Sequence, residues 1–278
     1  MITINNITDL DLENTITCGQ IFRFIKELDN SFTVILPDRV INIRYKNNTL
    51  YIESNNETNL EKVVKDYLDL DRDYITIINN IKALDNNITE CIDKSKGLKM
   101  IKQSPIECII SYIISANNSV RNITNSLNLI SEHFGEKIMF KDKTYYLFPT
   151  LDKLTQITEK EFRECKVGFR DKYLVEIIKS IKENKLDINS IYSMNSTDSL
   201  NYLISFKGIG MKVASCILLF AFRKFDVFPI DTWVKKFMLS DYNIEGEENI
   251  RKFCKETYKE YSGLAIQYMF NGKRNKDM

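Results

Sequence analysis

The sequence holds a single histidine, His133, and six cysteines that never come as a close pair. Metal chemistry built on two or three histidines is therefore hard to assemble from it, as is a Ser-His-Asp triad with any choice of histidine. Cys18, Cys91, Cys108, Cys165, Cys216 and Cys254 are scattered along the chain, as ordinary buried thiols of a reducing compartment would be. No run of about 18 uncharged apolar residues occurs, so a membrane span is not expected. The start, Met1-Ile2-Thr3-Ile4-Asn5, lacks a basic segment followed by an apolar one. No secretory leader is expected from it, and the location implied is intracellular, cytoplasmic or nucleoid-associated. One sign of charge does not dominate either: Lys and Arg number 39 against 38 Asp and Glu, a net of +1. Such a balance does not advertise a nucleic-acid partner, although a local basic face can hide inside a neutral average. Internal repeats and low-complexity linkers are absent.

What is present suffices for a folded body. With 278 residues, 44% hydrophobic and 28% charged, the chain can bury a full core and is not disordered by composition. Residues 1 to about 60 alternate as strands do: Phe32, Val34 and Leu36 on one side, then Ile41, Ile43 and Tyr45, with Asn47-Asn48 as a turn before Leu50-Tyr51-Ile52. From about residue 60 the period becomes helical, beginning with Leu60, Val63, Val64 and Tyr67. Further helices are expected at 73–83, 104–115, 119–134, 158–165, 171–183, 197–205, 211–222, 231–239, 247–260 and 262–271. Ser104-Pro105 is a start signal, and Gly135 and Gly168 are expected stops. The fold class read from this is α+β: a small antiparallel-sheet domain with linking helices over 1–100, then a mostly helical body over 101–278.

The most informative stretch runs from Ser196 to Leu239. Ser196 or Thr197 is expected to cap a helix that carries Leu200, Leu203 and Ile204. Phe206-Lys207-Gly208-Ile209-Gly210 follows, and then a strongly apolar helix from Met211 to Phe222. Two glycines one residue apart permit a tight hairpin with positive φ values. The backbone N–H groups opening the second helix could then hold an anion such as a DNA phosphate. An ordinary helix–helix turn accounts for the glycines equally well. Lys212 stands in the first turn of that helix, where the positive helix end disfavours an ammonium and favours the neutral amine that a nucleophile needs. Alone, it reads as one more solvated lysine. Phe228-Pro229-Ile230-Asp231-Thr232-Trp233 then opens the next helix, and Asp231 alone reads as its N-cap. Hairpin, first-turn lysine, apolar helix and Pro-x-Asp at the next start together form an ordered constellation.

Gly208-Ile209-Gly210-Met211-Lys212-Val213-Ala214-Ser215-Cys216 with Phe228-Pro229-Ile230-Asp231 resembles the helix-hairpin-helix plus Gly/Pro/Asp signature of the endonuclease III superfamily of DNA glycosylases, a motif lying at about 197–239. The 8-oxoguanine DNA glycosylase branch is similar over most of the chain. Cys18-Gly19-Gln20-Ile21-Phe22-Arg23-Phe24 resembles its Gly-Gln-x-Phe-Arg motif. Pro105-Ile106-Glu107-Cys108 through Ser115-Ala116-Asn117-Asn118-Ser119 resembles its central segment, and Val167-Gly168-Phe169-Arg170 and Tyr261-Ser262-Gly263-Leu264-Ala265 follow in order. Only Cys254 lies beyond Cys216, so the iron–sulfur cluster of other branches is not expected.

The resemblance implies a bifunctional enzyme that acts on double-stranded DNA containing oxidised guanine, as a monomer and without a required cofactor. Lys212 would attack C1′ and form a Schiff base, and Asp231 would stabilise the cationic sugar. The Gly19 carbonyl would accept the N7 proton of 8-oxoguanine, with Cys216 and Phe270 against the two faces of the base. Phe169 would wedge into the gap left by the flipped nucleotide, and Asn117 and Arg170 would contact its orphaned partner. Gly208 and Gly210 would hold the backbone. A structural ion at the hairpin backbone, residues 205–210, is a further implication, with no side-chain ligand set calling for one. Three positions depart from the family pattern. Asn122, beside Arg121, replaces a second arginine for the orphaned base. Ile266 replaces a glutamine that reads the base edge, with Gln267 one place along. Trp233 replaces a phosphate-contacting histidine. A glycosylase for another damaged base, or a non-catalytic module that recognises DNA structure, are the competing readings.

Overall fold

The computed structural model describes residues 1–274. The chain runs β1 (Ile2–Ile4), α1 (Leu12–Thr17), β2 (Phe24–Lys26), β3 (Phe32–Ile35), β4 (Val40–Lys46) and β5 (Thr49–Ser54), then α2 (Leu60–Tyr67), α3 (Tyr74–Leu84) and α4 (Thr89–Lys94). The helical body continues with α5 (Pro105–Ser115) and α6 (Val120–Phe134). A hairpin of β6 (Lys137–Phe140) and β7 (Lys143–Tyr146) interrupts it. It resumes with α7 (Leu151–Leu154), α8 (Glu159–Glu164), α9 (Asp171–Lys182), α10 (Ile188–Ser193) and α11 (Ser196–Ile204). The last helices are α12 (Met211–Phe222), α13 (Thr232–Tyr242), α14 (Glu247–Tyr258) and α15 (Ser262–Arg274).

The expected α+β architecture is present. β1 to β5 form one antiparallel sheet in the order β1-β5-β4-β3-β2. Its period-2 alternation puts Phe32 opposite Ile43, Val34 opposite Ile41 and Ile43 opposite Ile52, all buried. That face is covered by Leu12 and Ile16 of α1 and by Leu60 and Val64 of α2. The Asn47-Asn48 turn between β4 and β5 has φ 51° and 57° at its two residues, the left-handed pair that a tight hairpin with right-handed twist requires.

The larger core belongs to the helices. Residues 108–115 of α5 and 213–222 of α12 are all buried, because a helix apolar all round must be enclosed by others. The two cores interleave along the sequence: Cys18 and Phe22 lie in the helical core and Ile101 in the core of the sheet. Tyr74 and Ile81 of α3 and Cys91 and Ile92 of α4 belong to the helical core, and α4 packs on α15.

Several local expectations need correction. The helix before Gly168 stops sooner, at Glu164, with Cys165 as its C-cap and Lys166 taking the left-handed φ of 62°. Gly168, φ 65°, instead opens a single 3-10 turn, Gly168–Arg170. Neither Ser196 nor Thr197 caps α11. Asn195 does, its side-chain oxygen accepting the Asp198 N–H at 2.9 Å, so the two hydroxyl residues fall inside the first turn. The helices α1, α4, α7 and α10 were not foreseen, being six residues or fewer and too short to show a 3.6-residue period. The β6–β7 hairpin was missed because Lys141 and Asp142, φ 49° and 58°, make its turn without the Asn-Gly signal.

Candidate active site

The hairpin between α11 and α12 distinguishes its two glycines. Gly208 sits at φ 86°, and a Cβ there would come within 2.7 Å of the Tyr173 Cβ, so both backbone and space demand glycine. Gly210 corrects the expectation of two positive φ values. It is extended, φ −87° and ψ 176°, and a Cβ there would meet nothing within 4 Å. Gly210 is the N-cap of α12 and brings no side-chain cap, so the first N–H groups of α12 are left to an outside acceptor.

Lys212 is the second residue of α12. Its Nζ lies 5.7 Å from the centroid of the Tyr112 ring, within cation–π range, and among the described residues it makes no ion pair. Cys216 follows one helical turn later and is buried. Asp231 caps α13, accepting the Val234 N–H at 2.9 Å on Oδ1. Lys212 and Asp231 both act on the Cys216 thiol through charge, in opposite directions, so both charges lie within electrostatic reach of it. Burial dominates and pushes the thiol up to about 11, so it stays neutral at physiological pH.

The Gly19 turn is tied to Lys212 through Tyr112, whose hydroxyl donates to the Gln20 carbonyl and whose ring lies by the Lys212 Nζ. Gly19 has φ 88°, and Gln20 is buried and fixed at every polar atom of its side chain. Its Nε2 donates to the Lys99 carbonyl at 2.7 Å, and its Oε1 accepts the Ile101 N–H at 2.8 Å. The Gln20 carbonyl accepts from Gln103 Nε2 at 2.6 Å and from the Tyr112 hydroxyl at 3.1 Å. Gln267, 6% exposed, donates to the Cys18 carbonyl at 3.3 Å, so it reaches the residue next to Gly19. Ile266, at the position of the family glutamine, is buried in the core. Phe270 follows Gln267 by three positions and shares its side of α15; it is half-buried between fully buried neighbours, as a side chain at the edge of a cleft would be.

On the other flank, Phe169 is 65% exposed on its 3-10 turn, with the Arg170 guanidinium 4.5 Å from its ring centroid. Arg170 itself is buried and already committed. It donates to the carbonyls of Ala116, Val167 (3.0 Å) and Asn117 (3.2 Å), so it braces the loop of Asn117, the other residue expected at the orphaned base. Asn117 is exposed at φ 50°, with Asn122 and Arg121 exposed beyond it. Trp233, 40% exposed in the first turn of α13, lies under Lys236.

Two motifs turn out to be joined. Arg23 of the Gly-Gln-x-Phe-Arg stretch, itself buried, pairs with the partly buried Glu107 of Pro-Ile-Glu at 3.1 Å. A cavity of about 370 Å³ beside them, between sheet and helical body, is lined by Arg23, Tyr67 and Gln103 and by none of the expected site residues. The residue that sequence reasoning passed over is Tyr112. No local pattern marks an aromatic on a buried helix as more than core. Among the described residues no group of three or more His, Cys, Asp or Glu could hold a metal ion. The hairpin, residues 205–210, has no acidic side chain and includes Lys207.

A helix-hairpin-helix with a lysine opening its second helix, an aspartate capping the next and a glycine turn tied to that lysine through a buried tyrosine is the arrangement of a base-excision DNA glycosylase. A profile of the 8-oxoguanine DNA glycosylase N-terminal domain matches residues 2–109. A probable N-glycosylase/DNA lyase of Methanothermobacter thermautotrophicus is 31% identical over 216 residues, 70% of this chain and 69% of that protein. The N-glycosylase/DNA lyase of Saccharomyces cerevisiae is 27% identical over 291 residues, 94% and 75% of the two chains. Among solved structures, the Clostridium acetobutylicum 8-oxoguanine glycosylase/lyase, bound to double-stranded DNA with cytosine opposite 8-oxoG, superposes with TM-score 0.92 at 36% identity, covering 97% of this chain and 93% of that one. The chain belongs to the 8-oxoguanine DNA glycosylase family.

Proposed function

We propose that the chain excises 8-oxoguanine from double-stranded DNA and then cleaves the strand at the abasic site. The observation that carries the reading is the placement of Lys212 in the first turn of α12 and of Asp231 at the cap of α13, both within electrostatic reach of Cys216. The damaged nucleotide must leave the stack to be reached, and an exposed aromatic such as Phe169 fills the gap it leaves. Phosphate contacts on the uncapped N–H groups of α12, with Lys207 beside them, hold the backbone in register.

In the chemical step the Lys212 amine attacks C1′ as the bond from C1′ to the base N9 breaks, and the electron pair leaves with the base, which takes up a proton. The Asp231 carboxylate stabilises the positive charge that develops on the sugar. Opening of the C1′–O4′ bond, with protonation of O4′, gives a protonated Schiff base. Loss of a C2′ proton then expels the 3′ phosphate. No step passes through a metal, and a cation at the hairpin would have only backbone carbonyls to hold it. Gln267 anchors the Cys18–Gly19 turn and Phe270 closes one face of the pocket, while the neutral Cys216 thiol lies against the other. A glycosylase for another lesion would not need a Gly19 turn tied to Lys212 through Tyr112. The test is single-turnover cleavage of duplexes carrying 8-oxoguanine, or guanine, at one position. Nicking of the first at a rate at least 100-fold above the second supports the reading, and equal rates contradict it.

A further inference from the structure

Tyr112 is buried, only 3% exposed, and does two things at once. Its ring lies under the Lys212 ammonium, and its hydroxyl donates to the Gln20 carbonyl at 3.1 Å. The ring is itself held, stacked on Phe220 of α12 at 5.5 Å between centroids and edge-on to Phe22 of the Gly19 segment at 5.7 Å. One rigid aromatic thus touches both halves of the site: the helix that presents the nucleophile, and the turn that faces the base.

We propose that Tyr112 is a positioning residue that sets the distance between the Lys212 amine and the Gly19 turn. The inference rests on the reading of Lys212 as the nucleophile and of Gly19 as the reader of the lesion. A lysine on an exposed helix start has four rotatable bonds and pays for each one that it fixes. The ring gives the end of the side chain one seat that the neutral amine keeps by packing on it, and the π face then favours the protonated Schiff base that follows, which is a cation. The hydroxyl acts on the other half. Gln20 follows Gly19 directly, so a donor on the Gln20 carbonyl fixes the peptide plane next to the one whose oxygen would meet the N7 proton. Burial raises the phenol well above its ordinary value, so the hydroxyl remains a donor throughout the working pH range.

Ring and hydroxyl can be separated experimentally. Tyr112→Phe keeps the ring and removes the hydroxyl, leaving Gln103 as the remaining donor to the Gln20 carbonyl, and Tyr112→Leu removes both ring and hydroxyl. Two readouts distinguish them: single-turnover excision of 8-oxoguanine, which needs the Gly19 turn and the lysine, and borohydride trapping on a preformed abasic site, which needs the lysine alone. For Tyr112→Phe the ratio of excision to trapping should fall about fivefold, the worth of one hydrogen bond. For Tyr112→Leu trapping itself should fall about tenfold or more, and Phe at the position should restore most of it. Equal losses of both activities in both variants would make Tyr112 a packing residue and overturn the proposal. Native-like trapping in Tyr112→Leu would overturn it too. A Lys212→Gln chain that still traps would show instead that the nucleophile was misassigned, and the inference would fall with it.

Discussion

At the scale of single residues, Asp231 carries two duties that a substitution can separate. Asparagine caps a helix about as well as aspartate does, so Asp231→Asn should keep the bond to the Val234 N–H and leave stability within about 0.5 kcal/mol. It removes the charge, and excision should slow by about 100-fold or more. Thermal melting and single-turnover kinetics on the same preparation check both halves. Phe169 offers a similar separation. Its ring is mostly in solvent, so Phe169→Ala should not lower the melting temperature, yet it should weaken binding to lesion DNA by about tenfold, the lower end of what stacking on one base is worth. A stability loss without a binding loss would make Phe169 an ordinary loop anchor. Arg170 shows why such roles are hard to read from sequence. Its guanidinium donates to the carbonyls of Ala116, Val167 and Asn117, and only the folded chain reveals that it supports the Asn117 loop.

At the scale of elements, the hairpin between α11 and α12 makes opposite demands at its two glycines. Gly208→Ala must place a Cβ at φ 86° and within 2.7 Å of Tyr173, and should cost about 1–3 kcal/mol of stability. Gly210→Ala meets no neighbour and keeps an ordinary φ, so the fold should tolerate it. If a phosphate approaches the α12 N-terminus closely, Gly210→Ala should still weaken DNA binding. Melting curves and a binding titration on both variants resolve the two effects. The long elements were legible because their signals are local: Ser104-Pro105 opens α5, Gly135 closes α6, and Asp231 caps α13 as its neighbours suggest. The short helices, the β6–β7 hairpin and the cap at Asn195 were not, since none carries a full period or a distinctive turn pair. Among the candidate site residues, Lys212 and Asp231 are singled out by their order along the chain. Tyr112 and the Arg23–Glu107 pair could not, because both depend on which segments pack together.

At the scale of the whole molecule, charge pairs stitch the sheet to the helical body. Glu27, in the turn after β2, pairs with Lys143 of β7 at 2.9 Å, and Asp66 of α2 pairs with Lys102 at 2.9 Å and with Arg223, after α12, at 3.2 Å. The hydrogen bond from Lys143 holds the Glu27 carboxyl below its ordinary 4.5. Asp66 is pushed up by burial, but the Lys102 bond and charge outweigh this and leave it below its ordinary 3.8. A carboxylate depressed in the folded state adds stability above its unfolded value, and that contribution is lost as the pH falls through the folded one. The urea midpoint should therefore change little between about pH 7 and 5 and fall below about pH 4.5, where these groups begin to take up protons. A midpoint that rose on acidification would reverse the sign of the argument.

The central claim is that Lys212 forms a covalent bond to the DNA. The direct measurement is borohydride trapping on a duplex with 8-oxoguanine opposite cytosine, comparing the native chain with Lys212→Gln. The account predicts a protein–DNA adduct with the native chain, and a decrease on the order of a thousandfold in the variant, which should still bind the duplex. An adduct that persists in Lys212→Gln, or no adduct from a native chain that binds tightly and nicks the strand, would contradict it.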